Sequence, residues 1–258
     1  DNNIAIGKDS GLALTTGSAN TIVGKSAMSA DTDGISSVAI GLGALQALTG
    51  STRNVAIGAS AMESMDDTAD GLADCVAIGY EAFMGSATAT TTGANGTVSI
   101  GKQSQRTLTT GSANTAVGYT SLYHNLTGSN NTAIGYEAMV GTSTKSNSDC
   151  IAIGKGSMQG ARAGDKNIAI GVGAMDDTNA DDTVGASTNN LFIGYNAGGG
   201  TWVTAASNYN VSIGNYSMES ALNGASYNVA VGHTAGDDLI SAHRCTLVGA
   251  GAGSGALT

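Results

Sequence analysis

The feature that most restricts the fold is a nine-residue phrase that recurs along the whole chain. It appears as NIAIGKDSG at 3–11, NVAIGASAM at 54–62, NTAIGYEAM at 131–139, NIAIGVGAM at 167–175 and NVSIGNYSM at 210–218. Alignment on the glycine that closes it gives fourteen copies: Gly7, Gly24, Gly41, Gly58, Gly79, Gly101, Gly118, Gly135, Gly154, Gly171, Gly194, Gly214, Gly232 and Gly249. The base spacing is 17 residues and every departure from it is an insertion. Self-similarity of this kind belongs to solenoids, whose repeats bury apolar surface only by stacking on their neighbours.

The columns say which solenoid. One residue before the glycine, all fourteen copies carry Ile or Val; three before it, all but Leu191 carry Ile, Val or Thr; Ala stands between them in nine. β-Branched residues two apart around a small residue describe a short strand. Seventeen residues are too few for paired helices and their turns. The expected fold is therefore all-β, a parallel β-solenoid of about 14 coils. The whole of 1–258 reads as one repeat array, a segment of a longer fibre or a filament subunit. Three residues after the glycine every copy has Ala or Ser, and the next residue is Met, Leu or Phe in nine. That pattern predicts a second strand, packed tightly at the Ala/Ser column. Ile134 is expected to be a buried rung residue whose replacement by Asp disrupts the stack.

Four residues before the glycine lies a polar column. It holds Asn3, Asn20, Asn54, Asn114, Asn131, Asn167, Asn190, Asn210 and Asn228, with Cys75, Cys150 and Cys245 in three further copies and Ser37 and Thr97 in the others. Stacked asparagines can bond one another and the turn backbone, which would otherwise be unsatisfied. The cysteines share that column several coils apart, too far for disulfides, and read as compact structural side chains.

Insertions gather between the Met column and the next Asn column, for example at 63–74, 84–96, 140–149, 176–189 and 199–209. One edge of the coil thus carries variable loops, and such an edge is often the binding edge of a solenoid. Trp202 and Tyr209 make a candidate ligand-facing loop, suited either to stacking on a sugar ring of a host-surface glycan or to anchoring the loop. The acidic pairs Asp66/Asp67, Asp176/Asp177, Asp181/Asp182 and Asp237/Asp238 could offer oxygen ligands to calcium, but no EF-hand loop or glycine-rich calcium nonapeptide accompanies them. They read better as solvated charge.

No catalytic motif stands out. VGKS at 23–26 matches the end of a phosphate-binding loop, yet Ala19 occupies the position of its first glycine. The three histidines, His124, His233 and His243, lie in no zinc pattern. Threonine dominates no column, which leaves ice binding a minor alternative. The expectation is a non-enzyme with no cofactor, no catalytic residue and no metal site. A net charge of −10 opposes nucleic acid as a partner, and no apolar run reaches the ~18 residues of a membrane-inserting helix.

NTAIGYEAM, NVAIGASAM and NTAVGYTSL (114–122) resemble the repeats of bacteriophage tail-fibre proteins. They are also similar to the head repeats of YadA-like trimeric autotransporter adhesins, whose repeat is shorter. The resemblance spans essentially the whole chain. It implies a β-roll, usually a homotrimer, acting as a stiff shaft or attachment surface outside the cell or on a virion. The columns give their own reason to expect self-association: both strand faces are apolar, and a thin coil encloses only one of them. The ends, which lack an obvious polar cap, add head-to-tail stacking into a filament as the alternative assembly.

Overall fold

Fourteen three-residue strands occupy the fourteen segments immediately before the aligned glycines. The computed structural model describes residues 2–65, 71–85, 93–141, 146–160, 164–176, 187–202, 205–220 and 222–255. The chain is a parallel β-solenoid arranged as two units, 1–130 and 131–258. The first unit carries β1 (Ile4–Ile6), β2 (Thr21–Val23), β3 (Val38–Ile40), β4 (Val55–Ile57), β5 (Val76–Ile78), β6 (Val98–Ile100) and β7 (Thr115–Val117). The second carries β8 (Thr132–Ile134), β9 (Ile151–Ile153), β10 (Ile168–Ile170), β11 (Leu191–Ile193), β12 (Val211–Ile213), β13 (Val229–Val231) and β14 (Thr246–Val248). Within each unit, strands consecutive in sequence pair in parallel with column matched to column. The insertion between Gly58 and Gly79 leaves the register untouched, since Val55 still faces Val76 and Ile57 still faces Ile78. Insertions are looped out, and the rung is the conserved unit of geometry along the stack.

Each strand is short because both ends are fixed by backbone that cannot continue it. Ala19, before the Asn20 column position, sits at φ 60°, and Gly24, after β2, at φ 138°. The glycine column also admits no Cβ. One built on Gly79 would lie 2.6 Å from the Gly101 carbonyl oxygen of the next coil, and one on Gly135 would lie 2.6 Å from that of Gly154. Successive coils touch backbone to backbone along this ladder.

The middle residue of the strand faces inward. Ala39, Ala56, Ala77, Ala116, Ala133, Ala152, Ala169 and Ala230 are fully buried, while the β-branched residues on either side are half-buried or exposed. Ile134 is 39% exposed, which corrects the expectation that it is a buried rung residue. The coil is narrow, so its interior takes Ala from the strand and Met, Leu or Phe from the opposite wall (Met28, Leu45, Met62, Phe83, Met139, Met158, Met175, Met218). A large side chain enters from the strand where the facing column is Gly, as at the fully buried Ile22 beside Gly11.

The expected second strand is absent from the described residues; turns follow every glycine. Ser26 and Met28 both lie in the left-handed region, at φ 56° and 49°, and the same alternation recurs at Ser60 and Met62. The alternation points their N–H groups in opposite directions. Ser26 donates to Lys8 O of the preceding coil at 2.9 Å, and Met28 to Ala44 O of the following coil at 2.8 Å. A pleated strand cannot hold residues of this φ, but inter-coil hydrogen bonding survives without it. The Ala/Ser column predicted as the tight point is buried throughout coils two to thirteen, as at Ala44, Ser121 and Ala235. Serine is tolerated there because its hydroxyl donates back to the glycine carbonyl three residues earlier. Ser10, Ser104, Ser121, Ser157 and Ser217 reach Gly7, Gly101, Gly118, Gly154 and Gly214 at 2.8–3.2 Å.

Candidate functional site

The polar column before each strand makes two kinds of bond to the next coil. Its carbonyl oxygen accepts the next column residue's N–H, and its amide donates to the carbonyl three residues before that residue. Asn20 N–H thus donates to Asn3 Oδ1 at 2.9 Å, and Asn3 Nδ2 donates to Gly17 O at 2.8 Å. Asn20 repeats the pattern on Ser37 N–H and Gly34 O at 2.9 and 2.7 Å. Asn54 does so on Cys75 N–H and Leu72 O at 3.0 and 2.7 Å. Asn114 donates to Gly128 O at 2.8 Å. In the second unit the column runs without a break. Asn131 receives Cys150 N–H at 3.0 Å, Asn167 receives Asn190 at 3.0 Å, Asn190 receives Asn210 at 2.9 Å, Asn210 receives Asn228 at 3.1 Å and Asn228 receives Cys245 at 3.0 Å. This chemistry closes buried backbone.

The cysteines imitate the asparagines. Cys75 Sγ donates to Ala94 O at 3.4 Å and Cys150 Sγ to Gly164 O at 3.2 Å, the carbonyls that an Asn amide would meet, and Asn167 N–H donates back to Cys150 Sγ at 3.4 Å. All three cysteines are free. Burial pushes the thiols of Cys75 and Cys150 up to about 11, so neither is a thiolate nucleophile at neutral pH.

Trp202 and Tyr209 do not form a pair. Trp202 is fully buried, packs on Phe192 at 5.4 Å between ring centroids and donates its indole N–H to Gly198 O at 3.1 Å. Of the two readings of Trp202, the anchoring one describes its position. Phe192 replaces the usual inward Ala, and Gly198 replaces the usual Met of the same coil, where a Cβ would collide with the Phe192 ring. Tyr209 is exposed and stacks on Tyr227 of the next coil, 4.9 Å apart and nearly parallel.

Asp66/Asp67 and Asp181/Asp182, with Asp177, lie outside the described residues. Among the described residues no group of three or more His, Cys, Asp or Glu is placed to hold a metal ion, and no helix is long and apolar enough to cross a membrane.

The exposed side chains with most chemical character stand one residue after the glycine. Tyr80, Lys102 and Tyr119 follow the ends of β5, β6 and β7, and the Lys102 ammonium lies 5.9 and 5.8 Å from the two ring centroids. In the second unit Lys155 lies 5.8 Å from the Tyr136 ring. Beside the first row, Glu81 accepts from Gln103 at 2.8 Å and from Arg106 at 2.7 Å, and Arg106 donates to the Tyr123 hydroxyl at 3.1 Å. The Glu81 carboxylate raises the Tyr80 phenol above its ordinary range, and the Tyr80 hydroxyl and then Gln103 hold Glu81 below its own. Burial, then the charge of Arg106, lowers His124. Loop-based reasoning misses this row because it lies on the constant part of the coil. The signal was in the repeat itself: GYEAF (79–83) is followed one coil later by GKQS (101–104), and GYEAM (135–139) by GKGS (154–157).

No protein-family model, no curated protein and no solved structure matches the chain.

Proposed function

We propose that this chain is a non-catalytic structural protein, the shaft or attachment segment of a fibre of the phage tail or adhesin kind. It works outside the cell or on a virion by packing side by side with copies of itself, as a homotrimer. One observation carries the reading. The outward face of the sheet carries Ile or Val directly before the glycine on every rung, with Val55 and Ile57, Val76 and Ile78, and Val98 and Ile100 half-exposed around buried Ala or Ser. Parallel strands are normally covered on both faces, and a contiguous exposed apolar stripe marks an interaction surface. The similarity of NTAIGYEAM and its relatives to fibre repeats supports the same reading, and the backbone ladders suit a load-bearing role.

The test is the mass in solution of the purified chain, with electron microscopy of the same sample, for wild type and for Ile57→Asp with Ile100→Asp. Discrete rods at three times the chain mass in the wild type, and a folded monomer in the double variant, are expected. A wild type that stays monomeric at high concentration overturns the proposal. Long filaments with an axial repeat of one chain would favour head-to-tail assembly instead.

A further inference from the structure

We propose that the Tyr80–Lys102–Tyr119 row is a binding site for a carboxylate-bearing carbohydrate, with Tyr136–Lys155 as a second, smaller copy. The three residues of the row occupy one column on three consecutive paired strands. Their side chains therefore leave the same edge of the coil, and the two rings stand two rungs, about 10 Å, apart. Both rings are open to solvent, 48% and 41% exposed. The ammonium between them is held near both ring faces, and among the described residues no carboxylate pairs with it.

Lys25 and Lys166 likewise stand outside the ion pairs of the described residues; Lys102 differs in lying near two rings. Acidic groups outnumber basic ones two to one, with a net charge of −10. Glu81, one coil before Lys102, is engaged by Arg106 and Gln103. The same interaction ties down the neighbouring platform, because the Tyr80 hydroxyl and Arg106 converge on Glu81. Lys102 is thus a point charge between two aromatic surfaces, one of them tied down through Glu81.

The ligand class follows from the combination. Aromatic faces take the C–H faces of a saccharide ring, whereas the ammonium takes one anionic oxygen. A flat row along the stacking direction suits an extended chain that touches alternate rungs. The negative field of the whole protein repels densely charged polymers such as nucleic acid. It leaves a ligand with sparse carboxylates and apolar ring faces as the complement. The repetition of Tyr-Glu followed one coil later by Gly-Lys, at 80–81 with 101–102 and at 136–137 with 154–155, shows the arrangement written twice. The inference does not rest on the fibre reading, because the row lies within one unit of a single chain.

The experiment is calorimetric titration of the full chain with oligogalacturonate and with oligosialic acid at low and moderate salt. Methyl-esterified oligogalacturonate and poly-glutamate serve as comparisons, and the solution mass of each sample is measured alongside. We expect at least one acidic oligosaccharide to bind, with affinity falling about tenfold in Lys102→Gln and in Tyr119→Ala. Lys8→Gln, whose lysine faces Asp9, should leave binding unchanged. The substituted residues are exposed, so unchanged thermal melts are expected and separate lost binding from lost folding. Failure of both oligosaccharides to bind overturns the site, as does equal affinity for the methyl ester or for poly-glutamate. Binding that survives Lys102→Gln and Tyr119→Ala also overturns it. The solution mass decides the fibre reading separately.

Discussion

The Cys150 thiol meets the Gly164 carbonyl of the next coil at 3.2 Å, just as the Asn167 amide meets Ser187 at 2.8 Å one coil further on. A sulfur therefore serves as a rung of an amide ladder, and its protonation state becomes part of the fold. Burial raises the Cys75 and Cys150 thiols from an ordinary value of 9.0 to about 11. The folded state thus holds these protons more tightly than the unfolded state. Their contribution to stability is fully present below pH 9 and is lost as pH rises toward about 11. Denaturant midpoints followed from pH 7 to 11 should be flat to about pH 9 and then fall, with the fall reduced in Cys75→Asn/Cys150→Asn. Iodoacetamide at pH 8 should modify Cys245, which is only partly buried, well before the other two.

The two serines of coil six are coupled. Ser99, in the inward strand column, donates to Ser104 O at 2.8 Å, and the two hydroxyl oxygens lie 2.6 Å apart. The only other serine in that strand column, Ser212, makes the same bond to Ser217 O at 3.0 Å. Ser99→Ala should be nearly neutral, because Ser104 keeps its bond to Gly101 O. Ser104→Ala should cost about 1 kcal/mol, because Ser99 loses one of its buried partners. A double-mutant cycle by urea denaturation should return a non-zero coupling; strict additivity would show that the serines act independently.

Backbone sign makes two opposite exchanges behave against habit. Ala113 is exposed at φ 55°, where an L-residue costs about 1–2 kcal/mol. Ala113→Gly relieves that strain and adds entropy to the unfolded chain, so the net effect should be stabilising by up to about 1 kcal/mol. Gly79→Ala sits at φ 134° and drives its methyl into the Gly101 carbonyl; it should cost more than about 2 kcal/mol. Equilibrium denaturation of both variants checks the sign.

The repeat made the period, the parallel stack and the position of every strand legible, because a β-branched pair around Ala at fixed distance from a glycine has few other solutions. Which face pointed inward was not legible: Ala56 and Ile57 are both apolar, and only the narrow coil interior decides that the smaller one goes in. The turn after the glycine alternates small and large residues as a pleated strand does, so its sequence predicts a strand. The left-handed φ of Met28 and Met62 breaks the rule that bulky residues avoid that region, and no local signal announces it. The Tyr80–Lys102–Tyr119 row lies outside the insertions, in a column as regular as the rest.

Gln105 stands where nine other coils place Met, Leu or Phe. It is fully buried, and neither polar atom of its side-chain amide has a hydrogen-bond partner. A buried amide left unpaired costs about 1–3 kcal/mol. Met is compatible with φ 46° at this position, since Met218 adopts 48°. Gln105→Met should therefore raise the denaturation midpoint by an amount equivalent to about 1–3 kcal/mol. An unchanged or lowered midpoint would mean that the amide is satisfied in solution, by water for instance.

The last prediction concerns volume exchange across one coil. Phe192 occupies a position that is Ala in nine coils, and Gly198 a position that is Met, Leu or Phe in nine. The Phe192 ring fills the space that the missing Gly198 side chain vacates, and Trp202 closes it from the loop side. Phe192→Ala alone should open a cavity and cost about 3–5 kcal/mol. Gly198→Met alone should also be destabilising, because its side chain has nowhere to go while Phe192 remains. The two together restore the arrangement of the neighbouring coils, and Met175 shows that methionine is at home in that column at φ 55°. The double variant should recover more than half of the loss seen in Phe192→Ala, with Trp202 fluorescence reporting whether the indole stays buried. Additive losses would show that the coil is shaped by Trp202 rather than by an exchange between the two positions.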